Sequence, residues 1–102
     1  MAFQISSALL DACVLALVGK GDVYGYELTA QMKKVIEVSE STLYPVLRRL
    51  QKEAFVSTYD MPMNGRNRRY YAITEAGREK LIAYQSEWRS YRDGIDSLLK
   101  GE

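Results

Sequence analysis

The sequence predicts an α+β fold that is mostly α-helical, with a helix-turn-helix followed by a β-hairpin and one long final helix. Three observations support this fold class. The stretch from Ser39 to Ala54 carries an apolar face and a basic face at helical spacing. After Phe55, two runs of β-branched and aromatic residues enclose a group of turn residues. From Leu81 to Leu98, apolar residues recur three and four positions apart.

Length and composition indicate one globular domain. The chain has 102 residues, 47% hydrophobic and 26% charged, so it can bury a modest core to which a second copy would add. The net charge is only +1, but six basic and two acidic residues lie between Ser41 and Tyr70. The remainder of the chain is mildly acidic. Any nucleic-acid surface is therefore expected to be local.

The residue inventory excludes several kinds of site. One cysteine, Cys13, and no histidine are present, so an intramolecular disulfide, a zinc cluster and Ser-His or Cys-His nucleophiles are not available. We expect no enzymatic activity, no cofactor and no metal. The amino terminus has no basic leader, and no apolar run approaches the roughly 18 residues of a membrane span. This predicts a cytoplasmic protein.

The first helix is predicted to start after Ser6 or Ser7 and to run to about Val18, where Gly19 and Gly21 end it. It is apolar nearly all round, so it must be covered on more than one side. We expect a second chain to pack against the part of this helix that its own domain leaves exposed. The residues predicted to face that chain are Leu10, Val14 and Leu17.

A second helix is predicted from about Tyr24 to Val35, with Asp22 as its cap. Its apolar face is predicted to contain Tyr24, Leu28, Met32 and Val35. A short break then leads into the basic helix. Helix, tight turn and basic helix in this order are typical of a helix-turn-helix.

The basic helix has Ser39 as its favoured cap, with Thr42 as the alternative, and Pro45 lies inside it. Its apolar arc contains Leu43, Val46, Leu47, Leu50 and Ala54. Such a helix can read a major groove with its outward side chains. The alternative is a solvated basic face that binds nothing. The residues predicted to contact DNA are Ser41, Thr42, Tyr44, Pro45, Arg48, Arg49 and Lys52.

The predicted hairpin has strands from Phe55 to Asp60 and from Arg69 to Thr74, joined by turn residues from Met61 to Gly65. Arg66, Arg68 and Arg69 follow the turn without an intervening acid. A basic hairpin beside a basic helix can follow a phosphate backbone or enter a minor groove. We therefore predict DNA contacts for all three arginines.

The final helix is predicted to begin after Thr74 and to reach about Leu99, which is longer than one domain of this size can cover. It is predicted to form a dimer interface with the first helix of a partner, although folding over its own core is the alternative. Trp88, flanked by Tyr84 and Tyr91, could form a stacking slot for a planar aromatic molecule or fill the interface core. The interface residues predicted on this helix are Leu81, Tyr84, Trp88, Tyr91, Ile95 and Leu98.

Three blocks together resemble the PadR family of bacterial transcriptional regulators. They are Tyr-Gly-Tyr-Glu-Leu from Tyr24, Ser-Thr-Leu-Tyr-Pro-Val-Leu-Arg-Arg-Leu from Ser41, and Gly-Arg-Asn-Arg-Arg-Tyr-Tyr-Ala-Ile-Thr-Glu-Ala-Gly from Gly65. The resemblance implies a single domain of residues 1–102, in which a winged-helix DNA-binding part (1–74) precedes a dimerisation helix (75–102). The single final helix suggests the compact subfamily.

The resemblance also implies a homodimer that binds double-stranded operator DNA and usually represses transcription, and in some short members a drug-binding cleft with a tryptophan in the final helix. The recognition helix would include Ser41, and the wing would carry the hairpin arginines. Ser41 and Ala54 depart from the glycines common at those positions. If the backbone at Ala54 is left-handed, its Cβ is expected to strain the turn into the hairpin by roughly 1 to 2 kcal/mol. The alternative function is a winged-helix protein-interaction module that does not bind DNA.

Overall fold

A computed structural model describes residues 3–101 as four helices and a three-stranded antiparallel sheet. The elements are α1 (Ser7–Lys20), β1 (Val23–Tyr24), α2 (Gly25–Lys33), α3 (Glu40–Lys52), β2 (Val56–Met63), β3 (Arg66–Ile73) and α4 (Glu75–Lys100). This order of elements confirms the predicted winged helix-turn-helix with a long final helix. The predicted domain limits at Met1 and Glu102 lie outside the described residues. Within the described residues, no helix is long and apolar enough to cross a membrane.

The core is formed where α1, α2 and α3 meet the inner face of the sheet. Apolar residues spaced at helical intervals on each helix supply it, because burying one stripe per helix removes the most apolar area from water. Its fully buried side chains are Val14, Leu15, Val18, Leu28, Leu43, Leu47, Leu50 and Val56.

The ends of α1 and α2 differ from the prediction. Helix α1 continues to Lys20, past Gly19, and its Ser6 cap accepts a hydrogen bond from the Leu9 N–H. Helix α2 begins only at Gly25 and has no side-chain cap, because Val23 and the following residue pair with β3 as strand β1. The predicted cap, Asp22, instead accepts a hydrogen bond from the Tyr59 hydroxyl at 2.7 Å.

The end of α2 also falls short of the prediction. The helix stops at Lys33, so Val35 lies outside it and is 80% exposed. Its predicted place on the apolar face is therefore wrong. Leu28 and Met32 are buried as expected, at 0% and 3% exposure.

The hairpin is longer, and its turn shorter, than predicted. The strands continue through Met63 and resume at Arg66, so only Asn64 and Gly65 form the turn, with φ of 52° and 77°. Positive φ at both positions matches the two-residue turn that Asn-Gly favours. Met61, Pro62 and Met63 therefore belong to β2, and Arg66 and Arg68 belong to β3 rather than to a loop.

Candidate nucleic-acid interface and the apolar groove

Helix α3 is anchored by one face and exposed on the other. Leu43, Val46, Leu47 and Leu50 are at most 4% exposed, whereas Ala54, expected in the same arc, lies beyond the helix with φ of 64°. Because Pro45 lacks an N–H, it cannot donate the usual helical bond to the preceding turn. The exposed residues of α3 that were predicted to contact DNA are Ser41, Thr42, Tyr44, Pro45, Arg48 and Lys52.

Three hydroxyl groups meet at the amino-terminal end of α3. The Ser39 side chain caps the helix as predicted, accepting a hydrogen bond from the Thr42 N–H at 3.3 Å. Its Oγ also lies 2.8 Å from Ser41 Oγ and 3.1 Å from Thr42 Oγ1. These contacts hold the hydroxyls together at the end of the helix that would enter a groove.

Tyr71 connects α3 to the hairpin. Burial raises the pKa of its hydroxyl, while the positive charges of Arg69 and Arg48 act in the opposite direction. Both guanidinium groups are therefore within electrostatic reach of one hydroxyl. Tyr44 is within the same reach, because its charge adds to the increase in the pKa of Tyr71. Arg48 of α3 and Arg69 of β3 thus belong to one positively charged surface.

The three hairpin arginines lie on two faces of the sheet. In β3, Tyr71 pairs with the buried Val23, so residues of odd number point towards the core side. Arg69 therefore shares the side of α3, where its Nε lies 3.5 Å from Asp60 Oδ1. Arg66 and Arg68 point to the outer face. The outer face would meet DNA only if the hairpin enters a groove edge-on.

An aromatic row crosses the outer face of the sheet. Tyr59 and Tyr70 stack with ring centroids 5.5 Å apart, and Tyr24 meets Tyr70 edge-on at 5.6 Å. The Arg68 guanidinium covers the Tyr24 ring, with Cζ 4.6 Å from the centroid. This row braces the base of the hairpin and holds Arg68 in place.

Arg49, predicted among the outward basic residues of α3, lies at the edge of the exposed face with its side chain 39% exposed. Its Nη2 donates a hydrogen bond to Oδ1 of Asp11 in α1, and the Asp11 side chain is only 12% exposed. The guanidinium is directed towards α1 because a buried carboxylate requires a charged partner. Of the basic residues predicted on α3, Arg48 and Lys52 remain outward.

An apolar groove of about 680 Å³ runs between the start of α1 and the second half of α4. It contains two residues predicted for ligand binding, Trp88 and Tyr91, whose ring centroids are 6.2 Å apart, and the third, Tyr84. Large apolar side chains here stay exposed, including Tyr91 at 64%. The principal apolar lining residues are Phe3, Leu9, Ala12, Trp88, Ile95 and Leu99.

Part of the predicted dimer interface belongs to the chain's own core. Leu10 and Val14 are 6% and 0% exposed, so neither is available to a second copy. Leu17 and Leu81 are half-buried against the same core. The reason is that α1 packs against α2, α3, β3 and α4 of its own chain. Leu98, at 79% exposure, remains uncovered.

Several of these features were missing from the sequence prediction. The ion pair of Asp11 could have been predicted, because a single acidic residue in an apolar helix needs a charged partner when it is buried. The place of Leu9, Ala12 and Leu99 in the groove could not be predicted, because the sequence does not distinguish an apolar residue that lines a groove from one in the core. The pairing of Tyr24 with Tyr70 depends on strand β1, which is too short to show a periodic pattern.

Comparison with known proteins assigns the sequence to a family. The model of the transcriptional regulator PadR-like family matches residues 14–83. An uncharacterised protein of Lysinibacillus sphaericus is 32% identical over 97 residues, covering 90% of this chain and 89% of the relative. The negative transcriptional regulator PadR of Bacillus subtilis (strain 168) is 26% identical over 100 residues, but the match spans only 52% of its length.

Solved structures share the fold of this chain. The crystal structure of smu.1704 from Streptococcus mutans UA159 superposes with a TM-score of 0.92 at 38% identity, covering 99% of this chain and 95% of that one. Bacillus subtilis PadR in complex with operator DNA superposes with a TM-score of 0.69 at 25% identity, covering 74% of this chain and 45% of that one.

Proposed function

The chain belongs to the PadR-like family of transcriptional regulators, and on this basis we propose that it is a homodimeric repressor acting on operator DNA in the cytoplasm. The observation that carries the proposal is the division of α3 into a buried leucine face and an exposed face with hydroxyls and basic residues. The operator complex of the Bacillus subtilis relative supports DNA binding. The relative's description as a negative regulator supports repression.

In the proposed complex, α3 enters the major groove with Arg48 and the hydroxyl cluster at its amino-terminal end. Arg69 and Lys52 contact the flanking phosphates, while Arg66 and Arg68 bring the hairpin to the adjacent minor groove. Arg49, also predicted from the sequence to contact DNA, is given no DNA contact in this proposal because its guanidinium is paired with Asp11.

DNA binding is tested with a duplex that the protein enriches from a random-sequence library, compared with a scrambled duplex of equal length. Filter-binding affinities are measured against salt concentration. Several phosphate contacts should give a steep fall, with a log–log slope of about −0.9 for each phosphate neutralised. Absence of enrichment together with a flat salt dependence would instead favour a protein-interaction module.

The proposed dimer forms where the second half of α4 is uncovered. Along α4 only Gly77 is buried, whereas Tyr91, Leu98 and Leu99 are 64%, 79% and 78% exposed. A contiguous apolar surface of this kind marks an interaction site. A second copy can cover it by packing its own α4 into the groove, which satisfies both chains at once by twofold symmetry.

The dimer is tested by sedimentation of a Tyr91→Asp/Ile95→Asp variant. Both residues line the groove, so two buried carboxylates in the interface should yield folded monomers. Ile82→Asp is the matched control, because Ile82 lies on the same helix, is 65% exposed and does not line the groove. A double variant that remains dimeric would contradict the interface.

We further propose that a gap beside Trp88 stays open between the two copies of the dimer and binds a planar aromatic effector, with Tyr84 and Tyr91 at its sides. The indole is 40% exposed, so one surface of it is open to a stacking partner. An effector changes operator affinity only if it favours one arrangement of the two DNA-binding parts over another.

The effector site is tested by titration of Trp88 fluorescence with planar cationic dyes. Quenching should saturate in wild type, and dye affinity measured by dye emission should fall in Trp88→Ala. Operator binding is then measured with and without dye. Equal dye affinity in both proteins would leave Trp88 as a packing residue only.

A further inference from the structure

The ion pair between Asp11 and Arg49 joins α1 to α3. Among the ion pairs within residues 3–101, it differs from Arg69–Asp60 and Arg92–Asp93 in joining two helices that are far apart in sequence. Asp11 is also one of the few buried polar residues, at 9% exposure. The pair is thus a specific polar contact between α1 and α3, whose other buried residues are apolar.

The surroundings of the pair relate it to the groove. Ala12, next to Asp11, lines the groove, and so does Tyr84 of α4. Burial raises the pKa of the Tyr84 hydroxyl, the negative charge of Asp11 adds to this increase, and Arg49 opposes it. Tyr84 is therefore within electrostatic reach of both partners. The pair therefore joins α1 to α3, and its charges act on Tyr84 of α4.

The buried leucine face sets the rotation of α3 about its axis to within the width of that face, and it leaves a smaller rotation open because hydrophobic contacts have no direction. A charge-assisted hydrogen bond between helices is directional and favours one rotation. For α3, the rotation decides whether Arg48 and the hydroxyl cluster face a groove. Arg48 and Arg49 are adjacent in sequence and point about 100° apart, so one can face DNA while the other holds the helix.

We propose that Arg49 is a positioning residue, which fixes the rotation of α3 through Asp11 and does not contact DNA. The proposal rests on the DNA-binding function proposed above. It separates two adjacent arginines into different roles. Arg48 interacts with the nucleic acid, and Arg49 determines how accurately Arg48 is presented.

The sharpest test is Asp11→Asn, because the two possible roles of Arg49 predict opposite signs. If Arg49 were a phosphate contact, loss of the negative charge at Asp11 would leave the positive charge of Arg49 uncompensated and strengthen or preserve DNA binding, even though the new amide oxygen can still accept a hydrogen bond. If Arg49 positions α3, the same change weakens binding to the enriched duplex by about tenfold, as expected for strongly coupled neighbours. Affinity for the scrambled duplex should remain unchanged, since phosphate attraction needs no fixed rotation.

Arg49→Met supplies the second measurement. The positioning role predicts the same loss as Asp11→Asn, an unchanged salt slope and no further loss in the double variant. Arg49→Lys should recover most of the affinity. Arg48→Met is the matched control and should reduce affinity whether or not Asp11 is replaced. Active protein is counted by stoichiometric titration, so partial unfolding does not imitate weaker binding.

The outcomes distinguish this inference from the function on which it rests. Wild type that enriches no duplex and binds DNA without salt dependence would overturn both. Wild type that binds its duplex, together with Asp11→Asn binding as well or better, would overturn the positioning role alone. A salt slope that decreases by about one unit in Arg49→Met would also overturn it, because that is the mark of a lost phosphate contact.

Discussion

The guanidinium of Arg68 lies over the ring of Tyr24, 4.6 Å from its centroid, and so connects β3 to the two-residue strand β1. Tyr24 also meets Tyr70 edge-on. A residue at the start of the helix-turn-helix therefore supports the hairpin that follows it.

Tyr24→Leu should lower the free energy of unfolding by about 1 to 2 kcal/mol, because the cation–π contact and the edge-on aromatic contact are both lost. Urea denaturation followed by circular dichroism measures this change. Tyr26→Leu is the control, since Tyr26 is 69% exposed, and it should change stability by less than about 0.5 kcal/mol. Equal effects of the two changes would contradict the bracing role of Tyr24.

Arg48→Ala and Arg66→Ala should weaken DNA binding in different ways. Arg48 is exposed on α3, and its loss should cost about 1 to 3 kcal/mol on the preferred duplex and alter base preference if it reads a base edge. Arg66 is exposed near the hairpin turn, and its loss should weaken all sequences about equally. Competition binding with single-base variants of the duplex measures the difference. Uniform losses for Arg48→Ala would indicate a phosphate contact.

Gly77→Ala should strongly destabilise the fold. A Cβ at Gly77 would lie 2.0 Å from the Phe55 carbonyl oxygen, so the start of α4 must move away from the chain before β2. Such overpacking costs about 1 to 3 kcal/mol or more. Gly94→Ala on the same helix is the control, with nothing within 4 Å of its Cβ, and should gain about 0.8 kcal/mol of helix propensity. Thermal unfolding compares the two.

Ala54→Gly should stabilise the protein by about 1 kcal/mol. Ala54 follows α3 with φ of 64°, a left-handed conformation that an L-residue with a Cβ adopts only at a cost. The strain anticipated from the sequence at this position is therefore present. Ala30→Gly, an exposed site within α2, should instead lose about 1 kcal/mol. Chemical denaturation of the two variants measures both changes. A loss of stability in Ala54→Gly similar to that in Ala30→Gly would contradict the prediction.

Stability should fall at alkaline pH. Burial raises the pKa of Cys13 and the pKa of Tyr71 above their ordinary values, so folding favours the protonated, neutral form of each group. Their contribution is complete below the unfolded pKa values and is lost as pH rises through the folded values. Urea midpoints measured from about pH 7 to pH 11 should decline at the upper end, and the decline should be shallower in Tyr71→Phe. An unchanged profile in that variant would exclude Tyr71 as a contributor.

The prediction from sequence succeeded where a pattern is local and failed where a residue depends on a distant partner. Helix α3 is specified by its own leucine spacing and by the Ser39 cap. Strand β1 has only two residues and exists because β3 pairs with it. Arg49 lies at the border between the two faces of α3, and Asp11 decides its direction. The division of the hairpin arginines between faces follows from register, which the two-residue turn fixes.

The sheet ends on both sides in strands that are poor templates for further pairing. On one side β1 pairs only with Tyr70 and Tyr71, and the edge of β3 beyond it carries three arginines; on the other side, β2 contains Pro62, which has no N–H, and the charged Asp60. Short length, proline and charge are the features by which natural proteins prevent edge-to-edge aggregation. The hairpin can therefore project into solvent as a two-stranded ribbon without pairing with the hairpin of another molecule. Self-association is then expected to involve the helices alone.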